Sequence, residues 1–401
     1  MMSVFVARQP IFDRNMNVYG YELQYRYSKV MDFQVSDNFQ DITRWTNAHF
    51  LSQYFEQLTN STKAFINFQP KMIIEGVPTH LSKQTMVVQV LETKEIDHQY
   101  ILSLQKLRAK GYTITLDVSY FNQSFLPLLE VVDFIKLDFT KANMVLQKML
   151  LQRYHNKIKF IAKKIETKEE YEEALRLGYN YFQGYFFKTP EFLKSDKDLN
   201  NINPIYIKIL SELDNVEIDF DKLGRIVKRD HSLYKRVLMI ANSAQFGTSQ
   251  RVLSIKQAII RIGTKELRKW IYLLMIRELE TNENKELLRT FLIRGRLMEQ
   301  LAIVVGESEK MSSYFITGLF SEIDQILGID MAIIVEKLAL SADVKDALLG
   351  GDTCIKDMLD KVIGFENHTM WAFSKCDIGK LSAELVMKNY IEALSWEIET
   401  L

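Results

Sequence analysis

The sequence predicts two domains, an α/β domain followed by an all-helical domain. At 401 residues and 47% hydrophobic side chains, the chain can bury two ordinary cores, because single domains mostly span about 100–200 residues. All six prolines lie in the first 204 residues, so the rest of the sequence holds no residue that must break a helix. In the first half, short β-rich runs alternate with amphipathic segments, which predicts parallel strands joined by helices.

The clearest predicted strands of the first half are residues 86–90, 113–116, 134–137 and 159–162. Between the first two, Ile101, Leu104 and Leu107 recur every three residues and mark one apolar helix face, which Gly111 ends just before the next strand. After the last run, Thr167 and Glu170 have the spacing of a capping box. These signals place helices between strands.

The second half repeats helix signals. Ser254 and Gln257 have capping-box spacing, and Ala258, Ile259 and Ile262 continue an apolar face. A polar stretch at residues 195–204 separates the halves. We therefore expect a first domain at residues 1–194, a linker at 195–204 and a helical domain at 205–401.

Charge and hydropathy limit the expected partners. Lysine plus arginine equals aspartate plus glutamate at 51 each, so no bulk positive field attracts nucleic acid or an anionic membrane. The N-terminus lacks a basic region followed by an apolar core, and the apolar runs fall far short of about 20 residues. We expect a soluble, cytoplasmic protein that neither binds nucleic acid nor inserts into a membrane.

Short segments in fixed order carry a resemblance in the first half. They are Gln9-Pro10-Ile11, 20–26, Phe65-Ile66-Asn67, Gln89-Val90-Leu91-Glu92, Thr115-Leu116-Asp117-Val118, Phe134-Ile135-Lys136-Leu137-Asp138, 162–167 and 182–187. This half resembles the EAL family of cyclic di-GMP phosphodiesterases, which implies a modified TIM (β/α) barrel. The second half resembles the HDOD domain, through segments 230–233, 241–244 and 254–263. An EAL barrel followed by a helical HDOD bundle is a bacterial signal-transduction arrangement.

The resemblance implies five acidic positions at a two-metal site. They read Glu22, Gln89, Asp117, Val118 and Lys163 here, so the formal charge changes from minus five to minus one. Three further positions are retained: the resemblance makes Asn67 a metal-binding residue, Lys136 a catalytic residue and Gln183 the late glutamine of the site. Glu22, Asn67 and Asp117 leave a weak single Mg²⁺ site open, because carboxylate and amide oxygens suit that ion. We otherwise expect no cofactor.

Lys163 not only removes a metal ligand but also places a positive charge at that position. Unit charges about 4 Å apart at an effective dielectric of about 20 interact by roughly 4 kcal/mol, so an ammonium in the site opposes a cation. The alternative is that Lys163 points to solvent and the alignment is offset onto Lys164. Candidate ligand-binding residues are Arg26, Lys136, Asp138, Lys163 and Gln183. The aromatics of the loop at residues 119–122 either block the pocket or stack on a guanine.

The helical half offers no catalytic constellation in its sequence. Only His231 and His368 occur after residue 200, and neither is followed by aspartate. We therefore expect a non-catalytic signalling protein, not an enzyme, that binds protein partners through its HDOD half and can form a homodimer. The alternatives are a metal-independent cyclic di-GMP receptor, a pure scaffold, and a residual phosphodiesterase that uses Mg²⁺.

Overall fold

The computed structural model describes residues 4–27, 49–93, 96–119, 121, 123–189, 203–215, 217–243, 246, 250–338, 340–366 and 381–400. The described chain forms two compact units. The first unit lies within Met1–Phe192 and Leu381–Leu401, and it also includes a short piece that begins at Gly364. The second unit lies within Leu193–Ile363. Most of the predicted linker at 195–204 lies outside the described residues.

The first unit is a closed barrel of eight strands that pair in chain order. The first strand runs antiparallel to both of its neighbours, and the other pairs are parallel. This confirms the modified TIM barrel, because the antiparallel first strand is the departure from eight parallel strands. The strands are β1 Val4–Asp13, β2 Val18–Tyr27, β3 Lys63–Phe68, β4 Met86–Leu91, β5 Thr113–Val118, β6 Phe134–Asp138, β7 Lys159–Lys163 and β8 Tyr181–Gln183.

Helices alternate with the barrel strands, as the sequence pattern predicts. They are α1 His49–Thr59, α2 Pro70–Ile74, α3 His98–Ala109, α4 Met144–Tyr154 and α5 Lys168–Leu177. The Thr167 hydroxyl accepts from the backbone N–H of Glu170, whose side chain returns to the cap, so the predicted capping box is present. Asp97 caps α3 in a similar way by accepting from the N–H of Tyr100.

Apolar side chains close one end of the barrel. Phe65, Phe134 and Tyr181 are buried there, and the Tyr19 ring packs on all three. Side chains alternate along a strand, so the next inward positions lie one layer nearer the carboxyl ends of the parallel strands. Those positions carry the polar residues of the candidate site.

The described part of the second unit is helical throughout. Its helices are α6 Pro204–Leu213, α7 Phe220–Val227, α8 His231–Ala241, α9 Ile255–Ile262, α10 Thr264–Glu278, α11 Lys285–Val305, α12 Met311–Phe320, α13 Ile323–Leu327, α14 Met331–Lys337, α15 Ala342–Leu348 and α16 Cys354–Glu366. Helices α11 and α12 approach closely at two glycines, since a Cβ on Gly318 would lie 2.8 Å from the Gly295 backbone. Among the described helices, none combines the length and the apolar character needed to cross a bilayer.

The last helix, α17 Ala383–Thr400, packs against α1 and β1. By these contacts it belongs to the barrel unit. The predicted division at residues 194 and 205 remains a prediction, and the structure adds to the barrel unit a helix that this division gives to the second half. No short-range sequence pattern signals such a return of the chain.

Candidate functional site

The retained and the substituted positions of the implied site meet inside the barrel. Strand register pairs Asn67 with Gln89 and Asp117 with Lys136 on neighbouring strands. The same inward face continues on β7 and β8, where Lys163 pairs with Gln183. Since the carboxyl ends of parallel strands open onto one mouth, this layer is where a TIM barrel builds its site.

Glu22 and Lys136 form a buried ion pair at the centre of this layer. The Lys136 ammonium lies 2.7 Å from a Glu22 oxygen and 3.7 Å from an Asp117 oxygen. Gln183 also donates to Glu22, at 2.9 Å. Burial would raise the pKa of Glu22, but the Lys136 charge and the hydrogen bonds outweigh it and bring the pKa to about 2. Glu22 is thus an ionised carboxylate whose charge is already matched inside the protein.

Gln89 contacts three other side chains of this hydrogen-bond network. Its Nε2 lies 2.8 Å from a Glu22 oxygen, 2.7 Å from the Asn67 side-chain oxygen and 3.1 Å from an Asp117 oxygen. An amide nitrogen has only two N–H groups, so these three acceptors share two donors. The Gln89 side-chain oxygen is buried and accepts from no described residue. A glutamate at this position would present an acceptor where the amide now donates.

Lys163 and Lys164 both reach the mouth, on different carboxylates. The Lys163 ammonium is bonded to Asp117, and that of Lys164 lies 2.8 Å from Asp138. Lys164 has a left-handed backbone with φ of 62°, which departs from the strand geometry that would turn its side chain away. The structure therefore places Lys163 inward rather than in solvent, with Lys164 as a second cation at the mouth.

The other sequence candidates are placed less centrally. Val118 is buried, one position past the inward-facing Asp117. The backbone of Arg26 lies in β2, but its side chain is outside the described residues. In the loop at 119–122 the Phe121 ring packs on Phe125, while Tyr120 and Asn122 lie outside the described residues. This loop aromatic therefore packs on its own segment.

A divalent cation does not fit the arrangement as it stands. Its nearest oxygen donors, on Glu22 and Asp117, are already paired with the ammonium groups of Lys136 and Lys163. Those two carboxylates and two ammonium groups sum to zero formal charge, so the pocket gives a cation no net attraction. Across the described residues, three or more His, Cys, Asp or Glu side chains nowhere come together as a metal centre. The same neutrality gives an anion no net attraction, so an anion would bind here only where an ammonium group exchanges its carboxylate partner for the ligand.

Comparison with known proteins decides the family. The family model of the EAL domain matches residues 4–190, and that of the HDOD domain matches residues 199–347. The YuxH protein of Bacillus subtilis (strain 168) is 33% identical over 98% of this chain and 98% of its own. The chain belongs to the EAL-HDOD family. The expected EAL and HDOD resemblance is thereby confirmed.

This EAL-HDOD protein is also similar to a second curated protein and to solved structures of EAL proteins. The cyclic di-GMP phosphodiesterase CdgJ of Vibrio cholerae is 28% identical over 99% of this chain and 93% of its own. Among solved structures, an EAL domain protein from Listeria monocytogenes EGD-e is 20% identical, with a TM-score of 0.36 over 46% of this chain and 87% of that one. The calcium and cyclic di-GMP complex of Klebsiella pneumoniae BlrP1 is 18% identical, with a TM-score of 0.38 over 46% and 57%.

The expectation that this EAL-HDOD protein is not an enzyme is wrong in the light of these relatives. CdgJ, similar along almost the whole chain, is named a phosphodiesterase, and the EAL model matches the complete barrel. The comparison points to membership of an enzyme family. The physical reason is that the substitutions at Gln89, Val118 and Lys163 do not by themselves establish inactivity, since Glu22, Asn67, Asp117 and Lys136 remain together at the mouth.

Sequence reasoning did not assign a role to Lys164. Its contact with Asp138, which also accepts from the Thr140 hydroxyl at 2.9 Å, lowers the pKa of that carboxyl even though burial alone would raise it. Only the backbone conformation at the end of β7 brings this lysine to the mouth, so no sequence signal identifies it.

In the second unit, Asp230 caps α8 by accepting from the N–H of Leu233, and His231 is exposed.

Proposed function

We propose that this protein acts in cyclic di-GMP signalling by binding the dinucleotide at the barrel mouth. The observation that carries the proposal is the set of ammonium groups on Lys136, Lys163 and Lys164, held at one mouth by carboxylates of the barrel. Lysine binds phosphate, an anion, through charge-assisted hydrogen bonds. The similarity to CdgJ supports cyclic di-GMP as the source of that phosphate.

Lys163 is the group best placed to change partner. Its side chain keeps 16% of its surface exposed, whereas that of Lys136 keeps 1%. A phosphate at the mouth can therefore reach Lys163 without entering the buried layer. When the Lys163 ammonium moves from Asp117 to a ligand, Asp117 still accepts a hydrogen bond from Gln89. The exchange therefore does not leave the Asp117 carboxylate without a hydrogen-bond partner.

The test is calorimetric titration of cyclic di-GMP into the full chain, with and without Mg²⁺. The matched variants are Lys163→Met at the mouth and Lys159→Met at the amino end of the same strand, where the side chain is exposed. We expect Lys163→Met to weaken binding about 10- to 100-fold, as for the loss of a charge-assisted hydrogen bond of about 1.5–3 kcal/mol. Lys159→Met should bind normally. Absence of binding in both buffers contradicts the proposal and favours a scaffold.

Hydrolysis of the dinucleotide is the second candidate. The convergence of Glu22, Asn67 and Asp117 around one amide favours it, together with the name of the relative CdgJ. The same samples, incubated with Mn²⁺ or Mg²⁺, are analysed for the linear product pGpG. Steady product formation that Glu22→Gln abolishes would show that the bound dinucleotide is also hydrolysed.

The helical unit is proposed to bind protein partners and to self-associate. Nothing in its described part forms a metal centre, so surface recognition is the role left for it. Sedimentation velocity of the full chain over a range of concentrations measures self-association directly. A single monomer boundary at every concentration would remove that part of the proposal.

A further inference from the structure

One stretch of the second unit is strongly basic. Residues 222–265 contain ten lysines and arginines but only one acidic residue, Asp230, although the whole chain balances at 51 of each sign. The whole-chain balance, which argues against nucleic acid, averages this local charge away. A local field of this size attracts polyanions even when the net charge of the chain is zero.

The basic stretch is part of one packed group of helices. Helices α6 and α7 contact each other, as do α7 and α9, and α8 and α9. Lys222 on α7 lies 2.6 Å from Glu212 on α6, and Lys256 on α9 lies 2.7 Å from Asp221 on α7. Asn242 joins the end of α8 to the segment before α9 by bonding both backbone groups of Val252. The basic residues therefore stand on a fixed frame.

Several of these cations are exposed and hold no ion pair with any described residue. They are Lys228, Arg229, Lys235, Arg236 and Arg251. An ammonium or guanidinium with no carboxylate beside it gives its charge to an incoming ligand without first breaking a bond in the protein. These residues can therefore contact an anion without losing an ion pair.

Helix α8 presents one continuous exposed face, which is polar except for Met239. Its exposed residues are His231, Ser232, Lys235, Arg236 and Met239, at spacings of one, three and four that fall on one side of a helix. The opposite side, with Leu233, Val237 and Ile240, is buried. The residues that precede α8 form a three-residue connection from α7, Lys228 to Asp230, a length that occurs both in αα-hairpins and in the helix-turn-helix.

We propose that the exposed face of α8, with the connection before it, binds the phosphate backbone of a nucleic acid. Side chains of these types contact phosphates, and the arginine, histidine and serine can also reach base edges. Lysine supplies half of the ten cations, and lysine is depleted at protein interfaces but is a regular phosphate contact. The main apolar faces of α7, α8 and α9 are buried in the unit, but Met239, Leu253 and Ile260 are exposed beside the cations, so a membrane surface is tested separately.

The test uses the full chain and a fluorescein-labelled 20-base-pair duplex DNA, with a single-stranded RNA of equal length as a second probe. Fluorescence anisotropy is measured at several KCl concentrations from 50 to 300 mM. The test variant is Lys235→Glu with Arg236→Glu. The control is Arg277→Glu with Lys337→Glu, which makes the same charge change at exposed residues of the same unit outside the basic stretch. Circular dichroism checks that both variants are folded.

We expect binding that weakens as the salt concentration rises. The slope of log affinity against log salt concentration should become less steep by about 0.9 for each phosphate contact removed. The test variant should lose at least tenfold in affinity and the control less than threefold. Four outcomes would overturn the proposal: no binding of DNA or RNA at 50 mM KCl, equal loss in the control, competition by poly-L-glutamate as strong as by unlabelled DNA, or binding only to phosphatidylglycerol vesicles. The third favours an acidic protein and the fourth a lipid surface.

Discussion

Replacing Gln89 and Lys163 together by glutamate should convert the barrel mouth into a cation site. The charges of Glu22, Asp117, Lys136 and Lys163 now sum to zero, and the double substitution brings the local charge to minus three. A unit charge about 4 Å away at a dielectric of about 20 interacts by roughly 4 kcal/mol. Because the Lys163 side chain is 16% exposed, screening reduces this, and we expect a gain of about 1.4–3 kcal/mol, or 10- to 100-fold in Mg²⁺ affinity.

The assay is isothermal calorimetry with MgCl₂ and MnCl₂ on the folded Gln89→Glu/Lys163→Glu protein. The matched control is Lys159→Glu, which makes the same lysine-to-glutamate change at the far end of the strand that carries Lys163. The control should bind no more Mg²⁺ than the original chain does. Equal affinities for the double variant and the control, with both folded, would mean that these two side chains do not face the pocket as described.

Three further predictions concern stability. Lys136→Met should lower the free energy of unfolding of the barrel by about 3–5 kcal/mol, because it leaves the buried Glu22 carboxylate without its main partner; calorimetry should show that adding Glu22→Gln restores part of the loss. The melting temperature of the original chain should exceed that of Glu22→Gln at pH 7. That margin should shrink as pH falls from about 5 towards 2, because a carboxyl with pKa near 2 stabilises the fold above its ordinary pKa and loses this contribution on protonation; a margin independent of pH would contradict the pairing. Gly318→Ala should cost about 1–3 kcal/mol because its Cβ meets the Gly295 backbone at 2.8 Å, whereas Gly224→Ala, whose Cβ meets Ile255 at 3.7 Å, should melt at or above the original temperature.

Much of the fold was predictable from short-range pattern. The four predicted strands lie within β4, β5, β6 and β7, and the Thr167 cap forms as its spacing indicates. These features depend on residues close in sequence, where periodicity and capping chemistry are decisive. The return of α17 to the barrel was not predictable, because it depends on contacts with β1 and α1, which lie more than 300 residues earlier.

The candidate site was likewise predictable in part from the sequence and in part only from the folded structure. The sequence identified its substituted positions, but it could not show that Gln89 donates to Glu22, Asn67 and Asp117 at once, since hydrogen-bond direction depends on which side chains meet. The register between Lys163 and Lys164 was open for a similar reason. A left-handed backbone at Lys164 brings both lysines to the mouth.

By itself, the sequence determined that this protein is an EAL-type barrel followed by an HDOD helical unit, because fold class is encoded in periodicity, proline placement and ordered motifs along the chain. It also held the basic stretch at 222–265, which only a local count of charge reveals. Tertiary structure alone decided that the inner carboxylates are neutralised by ammonium groups from other strands, and that one face of α8 stays open to solvent. Electrostatic pairing and exposure depend on distances between residues remote in sequence, and those distances exist only once the chain is folded.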